Sequence, residues 1–224
     1  MYSGILESKK TNQLPPIGVS GLTHEYLFEE PSPNVIDSVG STNGTPVNGV
    51  LFEVAGFEGN AVQFDGVNDY ISFPDNLGII GFPFSVSFYL KKTNAADRIT
   101  ALNMRTSTAF FGFDIDIRSN EIYCGYGNGL GLSGTSDRRT FVNYSAWIND
   151  INWNKIAVEF IDKDTIKLYK NSILFTMGVH SGGDFTPDFN SNVKLMADLS
   201  APAYGNGKID TLKIYNRLLN ADEK

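Results

Sequence analysis

The sequence predicts an all-β protein: a two-sheet antiparallel sandwich of the jelly-roll type. Three observations carry this. Apolar and polar residues alternate with period two over many short stretches. Turn formers separate the stretches, with 22 glycines in 224 residues and frequent Asn and Asp between them. The apolar spacings of three and four that an amphipathic helix needs are rare. The clearest stretch runs from Trp153 to Met177. Ile156, Val158 and Phe160 fall on one side, and Ala157, Glu159 and Ile161 on the other. Asp162 to Thr165 supply a turn, Ile166 and Leu168 resume the apolar side, and Asn171-Ser172 leads into a third strand at Ile173. Such a pattern is an antiparallel meander.

The other elements follow in order. Residues 1–20 show no sustained period and contain Pro15-Pro16, which favours an extended segment. They are read as an N-terminal arm or linker, and residues 21–224 as one domain. His24, Tyr26 and Phe28 share a side of the first strand. Residues 31–50, rich in Pro and Gly, are read as a loop. Val62 and Phe64 alternate, Asp65-Gly66 turns the chain, and Tyr70 to Phe73 is the next strand. Phe84, Val86, Phe88 and Leu90 form one face of another, followed by Ile99 to Met104. Phe111, Phe113, Ile115 and Ile117 then alternate with Gly112, Asp114, Asp116 and Arg118, a half-buried strand with one strongly polar face. Residues 119–152 are the least regular, and Gly125, Gly127, Gly129, Gly131 and Gly134 are read as a loop. It is not a phosphate loop, because no Gly-Lys-Ser/Thr follows. Residues 178–192 are read as a second long loop and Val193 to Leu199 as a strand. Ile209, Leu212, Ile214 and Tyr215 supply the core of the last strand. More than ten short strands in ~200 residues suit a jelly roll better than an immunoglobulin domain.

Composition removes several function classes. The net charge of −7 repels phosphate backbones and anionic lipid, so neither nucleic acid nor membrane is an expected partner. No stretch reaches the ~20 apolar residues of a membrane helix, and no leader of basic then apolar residues is visible. Cys124 is the only cysteine, so no intrachain disulfide forms. A chain of this length buries roughly 70% of its unfolded surface and needs no staple to fold. His24 and His180 lack a second ligand at metal spacing.

Sugars are held by aromatic rings stacked on C–H faces and by Asn, Asp and Arg on hydroxyls. Residues 123–147 offer both kinds of group. The candidate glycan-binding residues are Tyr126, Asn128, Arg138, Tyr144 and Trp147, with Arg105 joining from a neighbouring strand.

Four segments in order carry a family resemblance: DSVGSTNGT (37–45), GNAVQFDGVNDYISFP (59–74), WNKIAVEFIDKDTIKLYKNSILF (153–175) and GKIDTLKIYNRLLNADE (207–223). Through them the chain resembles the LamG-like jelly-roll family of the concanavalin A-like lectin/glucanase superfamily. Ser172 stands where that family's turn carries glycine. The resemblance implies a concanavalin A-like sandwich and a structural calcium at its edge. The matching positions are Asp37 and Asp210, with carbonyls of residues 38–44 and water completing about six to eight oxygens. The alternative is that Asp37 makes an Asx turn and Asp210 pairs with a lysine or arginine. Glycosidases of the superfamily carry Glu-x-Asp-x-Glu on one strand face. The nearest match here, Asp114 to Arg118, places Asp first and Arg118 last. That removes the acid/base group such chemistry needs, so an enzyme is not expected.

The expected function is non-catalytic surface recognition: adhesion, or binding of a glycan or cell-surface polysaccharide. A leaderless chain with a polar arm suits a phage virion decoration, fibre or tail component, docked on other subunits through residues 1–20. It would then lie at the virion surface or outside the cell. The alternative is a carbohydrate-binding module excised from a secreted bacterial protein, with a glycoside hydrolase as the third reading.

Overall fold

A computed structural model of the protein describes residues 21–118, 120–144, 149–199 and 203–224. The strands among them are β1 (Leu22–Tyr26), β2 (Thr45–Val47), β3 (Leu51–Ala55), β4 (Asn60–Asp65), β5 (Tyr70–Ser72) and β6 (Phe84–Lys92). They continue as β7 (Ile99–Asn103), β8 (Phe113–Ile117), β9 (Ile122–Gly127), β10 (Arg138–Asn143), β11 (Trp153–Phe160) and β12 (Ile166–Lys170). The last are β13 (Ile173–Thr176), β14 (Gly178–Ser181), β15 (Lys194–Leu195), β16 (Ala197–Asp198), β17 (Ala203–Tyr204) and β18 (Asn206–Tyr215). No helix occurs among the described residues.

Two antiparallel sheets form the sandwich. The first has the order β13-β12-β11-β6-β18-β4-β3, with β1 also on β18; the second has β14-β10-β9-β8-β7-β15-β5-β2. The meander read from the sequence is β11-β12-β13. In it Ile156, Val158 and Phe160 point inward beside Phe88, Val86 and Phe84 of β6. The sheets are locked by aromatic contacts. Phe84 lies 4.5 Å from Phe160 in a parallel stack and meets Phe113 of the second sheet edge-on at 5.3 Å, both favoured ring geometries. The chain passes between sheets at Met177, which leaves β13 and β14 as adjacent sheet edges.

Several readings are corrected. The 119–152 region holds β9 and β10, two interior strands of the second sheet. Its glycines had suggested a loop, yet Gly125 and Gly127 are strand residues that admit close neighbours. A Cβ on Gly127 would fall on the Phe110 carbonyl, and its N–H donates to Gly112 O at 2.8 Å, a recognised use of strand glycine. The 31–50 loop contains β2, and the 178–192 loop contains β14. The expected arm, residues 1–20, lies outside the described residues.

The β12–β13 hairpin turns on two residues. Asn171 (φ 51°) and Ser172 (φ 66°) both take the left-handed region, as a type I′ turn requires. A side chain there is strained, and glycine is not. Ser172→Gly is expected to raise stability by about 0.5–1 kcal/mol, less the loss of the Ser172 hydroxyl bond to Lys224 O. Urea denaturation of the two proteins measures it.

Candidate recognition face

In β8, Phe113, Ile115 and Ile117 enter the core, so Asp114 and Asp116 stand on the outer side of the second sheet. Cross-strand pairing extends that side into two rows. One runs Thr100, Asp116, Tyr123, Val142; the other runs Asn103, Asp114, Gly125, Thr140, Ser181.

These aspartates are buried even so, because arginines cover them. Arg98 grips Asp116 with Nε at 2.9 Å from Oδ1 and Nη2 at 2.8 Å from Oδ2. Arg118 Nη2 reaches the same Oδ2 at 3.1 Å, and its Nη1 meets Glu121 Oε1 at 3.1 Å. Arg138 donates to both oxygens of Asp114, at 3.2 and 2.5 Å. Arg105, itself buried, bridges Asp114 at 2.7 Å and Asp198 of the β16–β17 hairpin. Its Nη2 faces Asp114 at ion-pair distance without good hydrogen-bond alignment, so that contact is chiefly electrostatic. Burial alone would push the Asp114 carboxyl up, but Arg105 and Arg138 outweigh it and hold the group below the usual carboxylate range.

Aromatic rings border the network. The Phe110 ring lies 5.4 Å from the guanidinium carbons of both Arg105 and Arg138. The Arg118 guanidinium sits over the Tyr123 ring at 4.1 Å. Tyr123 meets the His180 ring edge-on at 5.1 Å, and Tyr144 Oη is 3.5 Å from His180 Nδ1. Tyr144 is 60% exposed.

The residues proposed from sequence divide. Arg138 and Tyr144 lie on this face. Arg105 is on it but sealed beneath its neighbours. Tyr126 points the other way: with Ile122 and Cys124 it faces the core, its hydroxyl donates to Lys163 O at 2.6 Å, and burial pushes its phenol up to about 12. Asn128 braces the β9–β10 connection, donating to Ser136 O at 3.0 Å and accepting from Leu130 N–H. Trp147 lies outside the described residues. The sequence reading did not single out Arg98, Arg118 or His180, and offered Tyr123 among the aromatics of 123–147 without keeping it as a candidate. Arg118 and Tyr123 carried a usable signal, since the alternation of β8 puts Arg118 on the Asp116 side.

The calcium positions are engaged otherwise. Asp37 Oδ1 accepts from the N–H groups of Glu25, Val39 and Gly40, and Oδ2 from Thr42 N–H and His24 Nδ1 at 2.6 Å. Burial opposes ionisation, but the His24 bond and these backbone donors hold the carboxyl below its ordinary value. It is an Asx-type anchor ringed by donors, which does not fit a cation ligand. Asp210 accepts from Phe57 N–H, Glu58 N–H and the Thr211 hydroxyl, and among the described residues no lysine or arginine pairs with it. Burial, with the Glu29 charge, pushes its carboxyl up. No group of three or more His, Cys, Asp or Glu suited to a metal occurs among the described residues.

An apolar cleft lies elsewhere. A cleft of about 250 Å³ opens between residues 77–84 and the end of β18. It adjoins two larger and more open hollows along residues 184–190, of about 530 and 340 Å³. Its wall is core: Leu77, Ile79, Phe84 and Ile214. The Thr23 hydroxyl there already donates to Ile214 O. Sugar hydroxyls find few partners in it, so the charged outer face is the better candidate.

Residues 65–223 match the Laminin_G_3 family model, of the concanavalin A-like lectin/glucanases superfamily. The chain belongs to this family. No curated protein matches it. Among solved structures it is similar to domain 4 of AbnA, a GH43 extracellular arabinanase from Geobacillus stearothermophilus, in complex with arabinotriose. The identity is 20% and the TM-score 0.64, over 91% of this chain and 96% of that one. It is also similar to the botulinum neurotoxin serotype D binding domain (14% identity, TM-score 0.63, 91% of this chain) and to the type G receptor binding domain (15%, 0.61, 91%). The chain spans half the length of each toxin domain, 50% in both cases. At these identities the likeness is one of fold. On β8 of this chain, Asp114 and Asp116 are both locked to arginines. Asp114 lacks the raised pKa of a general acid.

Asp114→Ala strips Arg138 of its carboxylate and leaves buried Arg105 with Asp198 alone, and is expected to cost about 3–5 kcal/mol, read by urea denaturation at neutral pH. The Asp37 and Asp114 carboxyls both lie below their unfolded values. The stability they contribute is therefore present above about pH 4 and lost as pH falls through their folded values. Acid titration of the unfolding midpoint should show that loss, reduced in Asp37→Asn.

Proposed function

We propose that the protein is a non-catalytic recognition module that binds a glycan on the outer face of its second sheet. The observation that carries this is the Arg118 guanidinium over Tyr123, continued by His180 and exposed Tyr144. Rings for sugar C–H faces stand beside donors for hydroxyls, on a surface braced by buried ion pairs. The fold supports the reading: a similar domain is described in complex with arabinotriose, and others as receptor binding domains.

A glycan array on the purified protein, run with calcium and again with EDTA, tests it. Binding should appear and survive EDTA, because Asp37 is saturated by protein donors. Tyr144→Ala should weaken binding about two- to tenfold, the worth of one stacked ring. Absence of binding in both conditions would overturn the reading and point to a protein-interaction role, such as a virion structural subunit.

A further inference from the structure

The face is built in two layers of opposite charge. Asp114, Asp116 and Asp198 form the inner layer and are almost fully buried. The Arg98 and Arg118 side chains form the outer layer, 40% and 34% exposed. Both guanidiniums converge on one oxygen, Asp116 Oδ2, at 2.8 and 3.1 Å. Arg98 Nη2 also lies 3.7 Å from Asp198 Oδ2, an anion it shares with Arg105. Glu121, at 3.1 Å from Arg118, offsets that guanidinium only from its flank. On a chain of net charge −7, the anions here are covered and the more exposed charges are the Arg98 and Arg118 guanidiniums. Arg118 also touches the Tyr123–His180–Tyr144 shelf, which places the charge beside the surface for a sugar ring.

We infer that the glycan taken here is acidic: a sugar bearing a carboxylate or sulfate, its oxyanion on Arg98 and Arg118 and its ring on Tyr144 and His180. This rests on the glycan reading above and adds the ligand's charge to it. The Nε/Nη2 edges of both guanidiniums close on Asp116, so an oxyanion meets their remaining outward N–H groups through charge-assisted bonds. A neutral sugar would leave the outer cations solvated and gain nothing from them. The overall negative charge slows the approach of any acidic ligand, so selectivity must come from this contact rather than from long-range attraction.

The test is isothermal titration of the full chain with three oligosaccharides of equal length: an oligogalacturonate, a heparin-derived sulfated fragment and a neutral arabino-oligosaccharide. At least one acidic ligand should bind tenfold or more tightly than the neutral one, and more weakly as salt rises. The tighter acidic arm identifies the oxyanion. Arg98→Gln should cut the acidic-to-neutral preference by roughly tenfold, as loss of a charged hydrogen-bond pair implies. Arg118→Lys, which keeps charge but loses the fork, should also lower it. Thermal melts confirm that each variant is folded, and the salt dependence of the unmodified protein stands without any variant. Neutral binding as tight as acidic, without salt dependence, overturns this inference and leaves the glycan reading intact. No binding of any of the three overturns the inference, and an array blank for all glycans overturns both.

Discussion

Carboxylates on the outer side of a sheet normally point at water. Here Asp114 and Asp116 are closed off from it, and each is gripped by two guanidiniums. An unpaired buried charge costs several kcal/mol, so these pairs form together or not at all. Much of the second sheet follows from them. Arg105 ties β8 to Asp198 and so to the β16–β17 hairpin, while Arg98 reaches from the start of β7 across to Asp116. The pairing holds the Asp114 carboxyl below the usual carboxylate range, and the groups of this cluster facing solvent are the cations bound to its anions.

The apolar side of the sheet makes this arrangement rigid. Phe113 is next to Asp114 in sequence and packs against Phe84 and Phe160 of the other sheet. The strand carrying the buried anions is thus fixed from behind by the sandwich core. Glycines at 125 and 127 let the neighbouring backbone close in, Gly125 with Asp114 on one side and Thr140 on the other. The shelf of Tyr123, His180 and Tyr144 stands at the edge where β10 meets β14. There the chain has just crossed from the first sheet through Met177.

How much of this was legible depended on how local each signal was. Period-two alternation is local, so the inward faces of β6, β8 and β11 could be read directly, and the family segments placed the fold. The β9–β10 hairpin was hidden by its glycines, which are as frequent in turns as at close strand contacts. Without β9 as a strand there was no parity to assign, and a one-residue choice of parity exchanges faces. Tyr126 was therefore kept as a surface candidate although it faces the core, and Tyr123, on the outer side, was not. The ion pairs were out of reach for another reason: Arg105 and Asp198 lie 93 positions apart, and no sequence pattern links them. Asp37 was read both as a calcium ligand and as an Asx-turn residue, and only the ring of N–H donors around it separates the two.

The central claim is that the outer face of the second sheet, and not the apolar cleft at the sandwich end, is where this protein meets its ligand. Backbone amide chemical shifts during titration with an oligogalacturonate test it most directly. The account predicts shifts clustered at Arg118, Tyr123, Val142, Tyr144 and His180, with Ile80, Phe82 and Phe185 unmoved. Shifts confined to residues 77–84 and 184–190 would contradict it.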